Sequence, residues 1–426
     1  MIHRHTTILG KAVRQAARLR GGGSALPGLF VEKIDPEFTK RCLENLPRGV
    51  VVISGTNGKT TTTKMVVELL ESIGMKVFTN RTGSNFSRGV AAALLGEVDS
   101  KGRLNADIAV LELDEAHAVH FVKKIPPRYS LLLNVMRDQL DRFGEIDKTA
   151  NMLESIAAAT TDTVVLNRED PRVAKIAEKL TGVTKTAFFG LSNDLRSTFP
   201  SDDEIHSITP SAVASTTPTL VSLEAFTDHD ASFKIKGQIF TSANLKLQGI
   251  YNIFNAAAAL SLITAIQGDE TEPEKLTAAL SDITPAFGRG EKLQIAGQPL
   301  ELVLVKNPGG FRLGLKSFPP ENYATMIAIN DNYADGRDLS WLWDVDFESL
   351  RDQGVAEVTG IRAYDMALRL QYDEIAVSHI TTDLTRSLKH FLDANKNKPK
   401  RIYCTYTAML ALRRELSRIT EVEVIS

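Results

Sequence analysis

At 426 residues the chain exceeds what one typical core supports, so two or three domains are expected. Hydrophobic residues make up 43% and the formal charge is −2 at pH 7, a balance that excludes a disordered chain and gives no reason to expect nucleic acid as a partner. Cys42 and Cys404, two cysteines in all, exclude a disulfide framework and a four-thiolate zinc site and point to a reducing cytoplasm; no apolar run approaches the ~20 residues that span a bilayer.

The chain opens with Ile8, Leu9, Ala12, Val13 and Ala16 set among His3, Arg4, His5, Lys11, Arg14, Arg18 and Arg20. This pattern predicts an amphipathic helix ended by Gly21-Gly22-Gly23, packed on the following domain with its basic face in water. At most, that face adds a peripheral attraction to anionic lipid. Val50 to Ile53 then reads as a buried strand and Gly55 to Gly58 as a tight loop. From Thr60 a helix carries Met65, Val66, Leu69, Leu70 and Ile73 on one face, with Gly74 as its stop. Strand, glycine loop and helix N-terminus together converge bare backbone N–H groups on phosphate. In Gly55-Thr56-Asn57-Gly58-Lys59-Thr60-Thr61, Lys59 is placed to reach the β/γ-phosphates and the Thr60 hydroxyl to sit on Mg²⁺. Ile53 stands where the usual pattern has its first glycine, so only the inner portion of the motif is present.

Strands are expected at Val77–Thr79, Asp107–Leu113, Ser130–Val135 and Thr163–Leu166, with helices around Gly89–Leu95, Thr149–Ala159 and Pro171–Leu180. The alternation implies a doubly wound, mainly parallel sheet with ligands at the C-terminal strand edges. Three polar clusters fall at such edges. Glu112, Asp114 and Glu115 follow Ile108–Leu113; strand alternation puts Glu112 and Asp114 on one face, a geometry for Mg²⁺, and leaves Glu115 in the loop. Asn134 to Gly144 and Asn167 to Pro171 end the next two strands, as ligand groups or as turn chemistry. His117 and His120 fit a surface better than a metal site. Residues 190–240, rich in Ser, Thr and Pro, read as an insertion of short strands or a mobile excursion. Asn252–Gly268 reads as a helix and 285–291 as a hinge. A second α/β unit follows, with strands at Leu302–Val305, Thr325–Asn330, Glu357–Thr359, Glu374–Val377, Arg401–Thr405 and Val422–Ile425, and helices at Thr382–Asn395 and Ala408–Ile419.

The ordered set of motifs resembles the Mur ligase family. It comprises Gly55–Thr60, the Asn80–Asn85 loop, Glu112-Leu-Asp-Glu115, Gly249-Ile-Tyr-Asn252-Ile-Phe-Asn255 and Gly288-Arg289-Gly-Glu291. In the second unit Val305–Phe311, Asn330–Asp344 and Thr405–Leu410 extend the resemblance to the branch that forms the ATP-dependent subunit of lipid II isoglutaminyl synthase. The resemblance implies three regions: an N-terminal helix and lead-in over 1–48, a central ATPase domain over 49–295 with a zinc-free insertion at 190–240, and a Rossmann-like C-terminal domain over 296–426. It also implies ATP held by residues 55–61 with Asn252, Asn255, Arg289 and Asn332, and Mg²⁺ on Thr60 and Glu112. Members of that branch often carry a four-cysteine zinc ribbon, which two distant cysteines cannot form.

The residues ahead of Gly49 are too few for the uridine-nucleotide domain of the peptide-adding Mur ligases. The reaction that the resemblance implies, amidation of a D-glutamate α-carboxylate on lipid II, fits that better: ATP would make an acyl phosphate, with Lys59 and Glu112 at the reacting phosphate, and ammonia would displace phosphate. Neither cysteine sits in a nucleophile elbow, so another chain must make the ammonia. The resemblance names it as a GatD-like class I glutamine amidotransferase in a heterodimer, completed by an aspartate of this chain, Asp338 first and Asp335 second. Such an enzyme works in the cytoplasm at the inner face of the membrane. The rivals are an amino-acid-adding ligase of folylpolyglutamate or peptidoglycan type, and a noncatalytic nucleotide-binding scaffold for a glutaminase.

Overall fold

A computed structural model describes residues 2–19, 26–80, 86–136, 146–180, 182, 184–198, 216–227, 229–247, 249–284 and 289–422. Two sheets organise it. The first has nine strands: β1 (Val50–Ser54), β2 (Val77–Thr79), β3 (Ile108–Glu112), β4 (Tyr129–Leu132), β5 (Thr163–Asn167), β6 (Lys185–Leu191), β7 (Val221–Phe226), β8 (Ala231–Ile235) and β9 (Gln238–Ser242), in the order β2-β3-β1-β4-β5-β6-β7-β8-β9. Pairing is parallel from β2 through β7 and antiparallel for β8 and β9. β1 is flanked by β3 and β4, so the winding direction reverses at its C-terminal end. That end is the topological switch point of the sheet, where ligands of doubly wound folds bind.

β1 and β5 are buried at every position, as expected of strands covered on both faces. One face packs on the helices Lys59–Ser72 and Ile250–Gln267; contrary to the sequence expectation, the latter is long and apolar enough by composition to cross a membrane, but it is mostly buried among its neighbours in this core. The other face packs on Ser87–Glu97, Glu115–Lys124 and Ile146–Ala158. The expected short strands between 190 and 240 are β7, β8 and a portion of β9, and they lengthen the first sheet. Residues 199–215 lie outside the described residues.

The second sheet has the order β10-β11-β15-β12-β13-β14, with β10 (Arg289–Ile295), β11 (Gln298–Leu304), β12 (Ala324–Ala328), β13 (Glu357–Thr359), β14 (Ile380–Thr381) and β15 (Lys400–Cys404). Only the β10–β11 hairpin is antiparallel. Arg289–Ile295 thus pairs into the second sheet, ahead of the expected domain border after residue 295. Glu374–Val377 does not form the expected strand. Val377 makes a single bridge to Val355, and the edge strand falls at Ile380–Thr381. Pro171–Leu180 is two short turns, Pro171–Ala174 and Ile176–Lys179.

The N-terminal helix runs over Ile2–Leu19, but its apolar face is turned the other way from the expected packing. Thr6, Thr7 and Gly10 are buried, while Ile8 and Leu9 are 56% and 48% exposed. The reason lies in Gly10. A Cβ there would come within 2.6 Å of Val31 and 2.7 Å of Leu95, so the helix seats by close backbone approach.

Candidate active site

The expected phosphate loop, residues 55–61, sits at the switch point and is held by neighbouring strand ends. Gly55 and Gly58 adopt φ of +133° and +88°, conformations that disfavour a side chain. The backbone N–H of Thr56 donates to the Asn134 carbonyl at 3.0 Å. Asn134 also brackets Asn57: its Oδ1 accepts from the Asn57 N–H and its Nδ2 donates to the Asn57 carbonyl, both at 2.9 Å. The Asn134 cluster therefore builds the loop. Asn167, at the end of the neighbouring strand β5, acts similarly by donating to the Leu133 carbonyl at 2.7 Å. Residues 137–144 of the expected Asn134 cluster lie outside the described residues.

Lys59 is 6% exposed. Its ammonium folds back on the Gly55 and Thr56 carbonyls and pairs with Glu115 Oε2 at 3.5 Å. Glu115 corrects a sequence expectation: it is the first residue of the helix Glu115–Lys124, 2% exposed, and faces Lys59. Thr60 Oγ1 donates to Glu112 Oε1 at 2.9 Å, uniting the two expected Mg²⁺ ligands across 52 positions. Asn80 fixes Glu112 by clasping its backbone, accepting from its N–H at 3.0 Å and donating to its carbonyl at 2.8 Å. Asp114 is buried and its Oδ1 has no hydrogen-bond partner. A hydroxyl, a carboxylate and a second, orphaned carboxylate oxygen are donors suited to a hard cation. Thr61 Oγ1, also buried without a partner, adds a donor beside the loop.

A cleft opens from this loop toward the second unit. Its lining includes Asn57, Gly58, Asn252, Asn255, Lys306 and Gly310. A Cβ on Gly58 would lie 2.8 Å from Asn255 Oδ1, so that asparagine covers the bend of the loop. Across the cleft the side-chain amides of Asn57 and Asn307 exchange long hydrogen bonds of 3.5 and 3.3 Å. Asn307 is itself buried and caps the helix Pro308–Ser317 by accepting from the Gly310 N–H at 2.6 Å. Of Arg289 only the backbone is described.

Two of the other expected residues, Asn332 and Asp335, meet Thr407 where β12 and β15 end side by side. Asp335 is 2% exposed and accepts from the Thr407 N–H at 2.7 Å, the Thr407 hydroxyl and the Asn332 N–H at 3.1 Å. Burial nonetheless raises its carboxyl above the ordinary aspartate range. Asn332 donates to the Thr407 hydroxyl at 2.8 Å. Asp338 is half-buried, and its Oδ1 accepts from the Ser340 N–H at 2.9 Å. Asn332, Asp335 and Asp338 are not among the residues lining the cleft.

Comparison with known proteins fits this layout. Residues 53–263 match the Mur ligase middle domain and residues 304–409 match the MurT ligase C-terminal domain. The lipid II isoglutaminyl synthase (glutamine-hydrolyzing) subunit MurT of Streptococcus pneumoniae is 32% identical, over 93% of each chain. The chain belongs to the MurT family. The MurT subunit of Staphylococcus aureus is 28% identical over 97% of each chain. Among solved structures, MurF ligase from Thermotoga maritima in complex with ADP superposes with a TM-score of 0.67 at 18% identity, over 92% of this chain and 83% of that one. Folylpolyglutamate synthase of Mycobacterium tuberculosis superposes at 0.61 with 16% identity, over 90% and 93%. These two show the Mur ligase fold, and family and fold together imply ATP binding.

Within the MurT-matching segment of the chain, sequence reasoning missed an apolar stripe. Ile361, Tyr364, Leu368 and Tyr372 are 53–76% exposed along one side of Ala363–Tyr372 and its approach. Trp343, 50% exposed, meets Tyr372 edge-on at 5.5 Å, and Arg369 stacks over Trp343 at 5.4 Å. The i, i+3, i+7, i+11 spacing was the available signal, but it reads equally as a core-facing helix side. Both thiols are sequestered: burial pushes Cys42 up to about 12 and Cys404 higher still.

Proposed function

We propose that this MurT-family chain is the ATP-dependent ligase subunit of a lipid II isoglutaminyl synthase. It would convert the α-carboxylate of D-glutamate in the stem peptide to the amide. The observation that carries the reading is the arrangement of Lys59, Thr60 and Glu112 at the switch point of the first sheet, with the cleft leading from it to the second unit. The carboxylate attacks the γ-phosphorus of ATP and ADP leaves; ammonia then adds to the acyl phosphate, phosphate departs and a proton is released. Attack joins anion to anion, so positive charge must meet the reacting phosphate. Lys59, freed from the loop carbonyls and Glu115, supplies it, together with the amides at the start of Lys59–Ser72. Thr60 and Glu112 would hold Mg²⁺, which when bound offsets phosphate charge. Asn252, Asn255 and Arg289 would hold the nucleotide beside the loop; Asn332, which does not line the cleft here, would join them only once the two units move together.

Ammonia comes from a GatD-like glutaminase subunit, since neither Cys42 nor Cys404 is accessible as a thiolate. Asp338 is the residue given to that partner, holding the imidazole of its Cys–His pair. Its half-exposed carboxylate supports this assignment, whereas Asp335 is committed to Thr407. The exposed stripe of Tyr364, Leu368 and Tyr372, continued by Trp343, is an apolar surface suited to seat the partner. A lipid-linked acceptor places the complex at the inner face of the membrane.

The test uses the co-purified complex with lipid II and ATP. Asp338→Asn should lower glutamine-dependent amidation at least about 100-fold, an effect in the range of losing a catalytic-residue partner, and leave ammonium-dependent amidation intact. Loss of both activities alike would remove Asp338 from the glutaminase. An added amino acid replacing ammonium would restore the amino-acid-adding reading.

A further inference from the structure

Far from the nucleotide cleft, a cluster of three side chains takes no share in the reaction. β13 begins at Glu357 and runs parallel to β12, so Glu357 lies at the N-terminal edge of the second sheet, opposite the edge that bears Asp335 and Asp338. Its side chain is 1% exposed. His379 Nδ1 lies 2.6 Å from Oε1 and His390 Nδ1 2.9 Å from Oε2. The Ser387 hydroxyl donates to Oε1 at 2.7 Å. Among the described residues no lysine or arginine pairs with this carboxylate; both of its ion-pair partners are histidines, which carry charge only when protonated. A buried carboxylate needs a compensating positive charge or a coordinated metal.

We propose that Glu357, His379 and His390 form a binding site for a divalent transition ion, with zinc the ion its donors fit best. One donor atom from each residue lies within 4.8 Å of the others. Two imidazole nitrogens and one carboxylate oxygen make a three-ligand set of the kind zinc takes at about 2.0–2.2 Å, leaving a fourth position to water. The side chains of His379 and His390 are 39% and 52% exposed, so the ion can enter and the rings can open by the small distance it needs. Ser387, one turn before His390 on the helix Leu384–Ala394, holds the carboxylate oxygen from behind, the usual arrangement of an outer hydrogen bond to a metal ligand. Mg²⁺ prefers all-oxygen surroundings, so the site is chemically distinct from the Thr60–Glu112 pair. A cysteine count cannot reveal it.

Its place in the fold gives it a structural task. β14 has two residues and β13 three, a weak edge for a sheet. The ion would tie the starts of both strands to Leu384–Ala394, joining three elements by bonds stronger than the few ladder hydrogen bonds there.

The full chain, stripped with a chelator and returned to buffer with excess Mg²⁺, is titrated with Zn²⁺ by calorimetry and melted with and without it. Wild type should bind about one equivalent and melt several degrees higher with zinc. His379→Ala/His390→Ala should lose at least about tenfold in affinity and show no zinc-dependent rise in melting. Glu357→Gln, which keeps the side-chain shape, should do the same. Co²⁺ in place of zinc should give the intense visible absorption of a low-coordinate ion in wild type and not in the double variant. Absence of saturable zinc binding, or binding and a cobalt spectrum unchanged in the double variant, would overturn the site. None of these readouts uses amidation, so they stand apart from the proposed reaction.

Discussion

Gly58 shows how little freedom the phosphate loop has. Its φ of +88° costs an L-residue roughly 1–2 kcal/mol, and a Cβ there would press on Asn255 at 2.8 Å. Gly58→Ala should lower stability by about that amount and raise the KM for ATP, because the bend and the asparagine over it move together. Urea midpoints and ATP titrations of the same preparation check both halves. Lys59 differs, because its removal acts twice. Lys59→Ala should cut kcat by about 10²–10³ by removing charge from the reacting phosphate. It should also destabilise the fold by leaving Glu115 buried without its cation. Adding Glu115→Gln should recover the melting temperature and none of the activity. If Lys59→Ala alone left amidation by the complex unchanged, the chain would be a scaffold. The lysine is legible from Gly55–Thr60 because the motif is contiguous. Its partner Glu115 was not, since strand alternation alone sent that side chain into a loop and the helix start at Glu115 turns it inward.

Among elements, the two turns after β5 carry a pH dependence of their own. Asp170 caps Pro171–Ala174, its Oδ1 accepting from the Arg172 and Val173 N–H groups at 3.0 Å, while Oδ2 accepts from the Val135 N–H at 2.7 Å. Burial outweighs these bonds and pushes the carboxyl up to about 6. An unfolded aspartate titrates near 3.9, so between about pH 4 and 6 the folded chain holds a proton that the unfolded chain has released. The contribution is therefore fully present below pH 4 and is lost as pH rises through 6. Two units correspond to at most about 3 kcal/mol. Subtracting the urea stability of Asp170→Asn from that of wild type isolates the group, and the difference should fall across that window; a flat difference would show that the three N–H bonds keep the carboxylate ionised in the native state. Asn167-Arg-Glu-Asp170 was legible as a turn cluster at a strand end, and the structure assigns Asp170 to capping. The element-level misreadings have similar local causes. The N-terminal helix forms as expected over Ile2–Leu19, its expected stop at Gly21–Gly23 lying outside the described residues, but its period could not say that Gly10, not Leu9, makes the contact.

At the scale of the whole molecule, the two α/β units were legible from alternating strands and helices, and the family resemblance carried across both. What no spacing could foretell is how they meet. Asn57 and Asn307 are 250 positions apart; the first reads in sequence as part of the nucleotide loop and the second as part of a separate motif, and nothing in either pairs them. In the fold they join the glycine loop to the cap of Pro308–Ser317, so the two walls of the cleft touch there. At 3.5 and 3.3 Å the paired bonds are long, as expected of a contact that can open as the units shift around a nucleotide. A double-mutant cycle with Asn57→Ala and Asn307→Ala separates this contact from the cap that Asn307 also provides, because the cap is lost equally in both arms of the cycle. A coupling of about 0.5–1.5 kcal/mol in ATP binding is expected if the pair holds the cleft wall in place. Strict additivity would mean that the amides merely lie close, and that the helix packing of Ile250–Gln267 against Pro308–Ser317 alone sets the distance between the units.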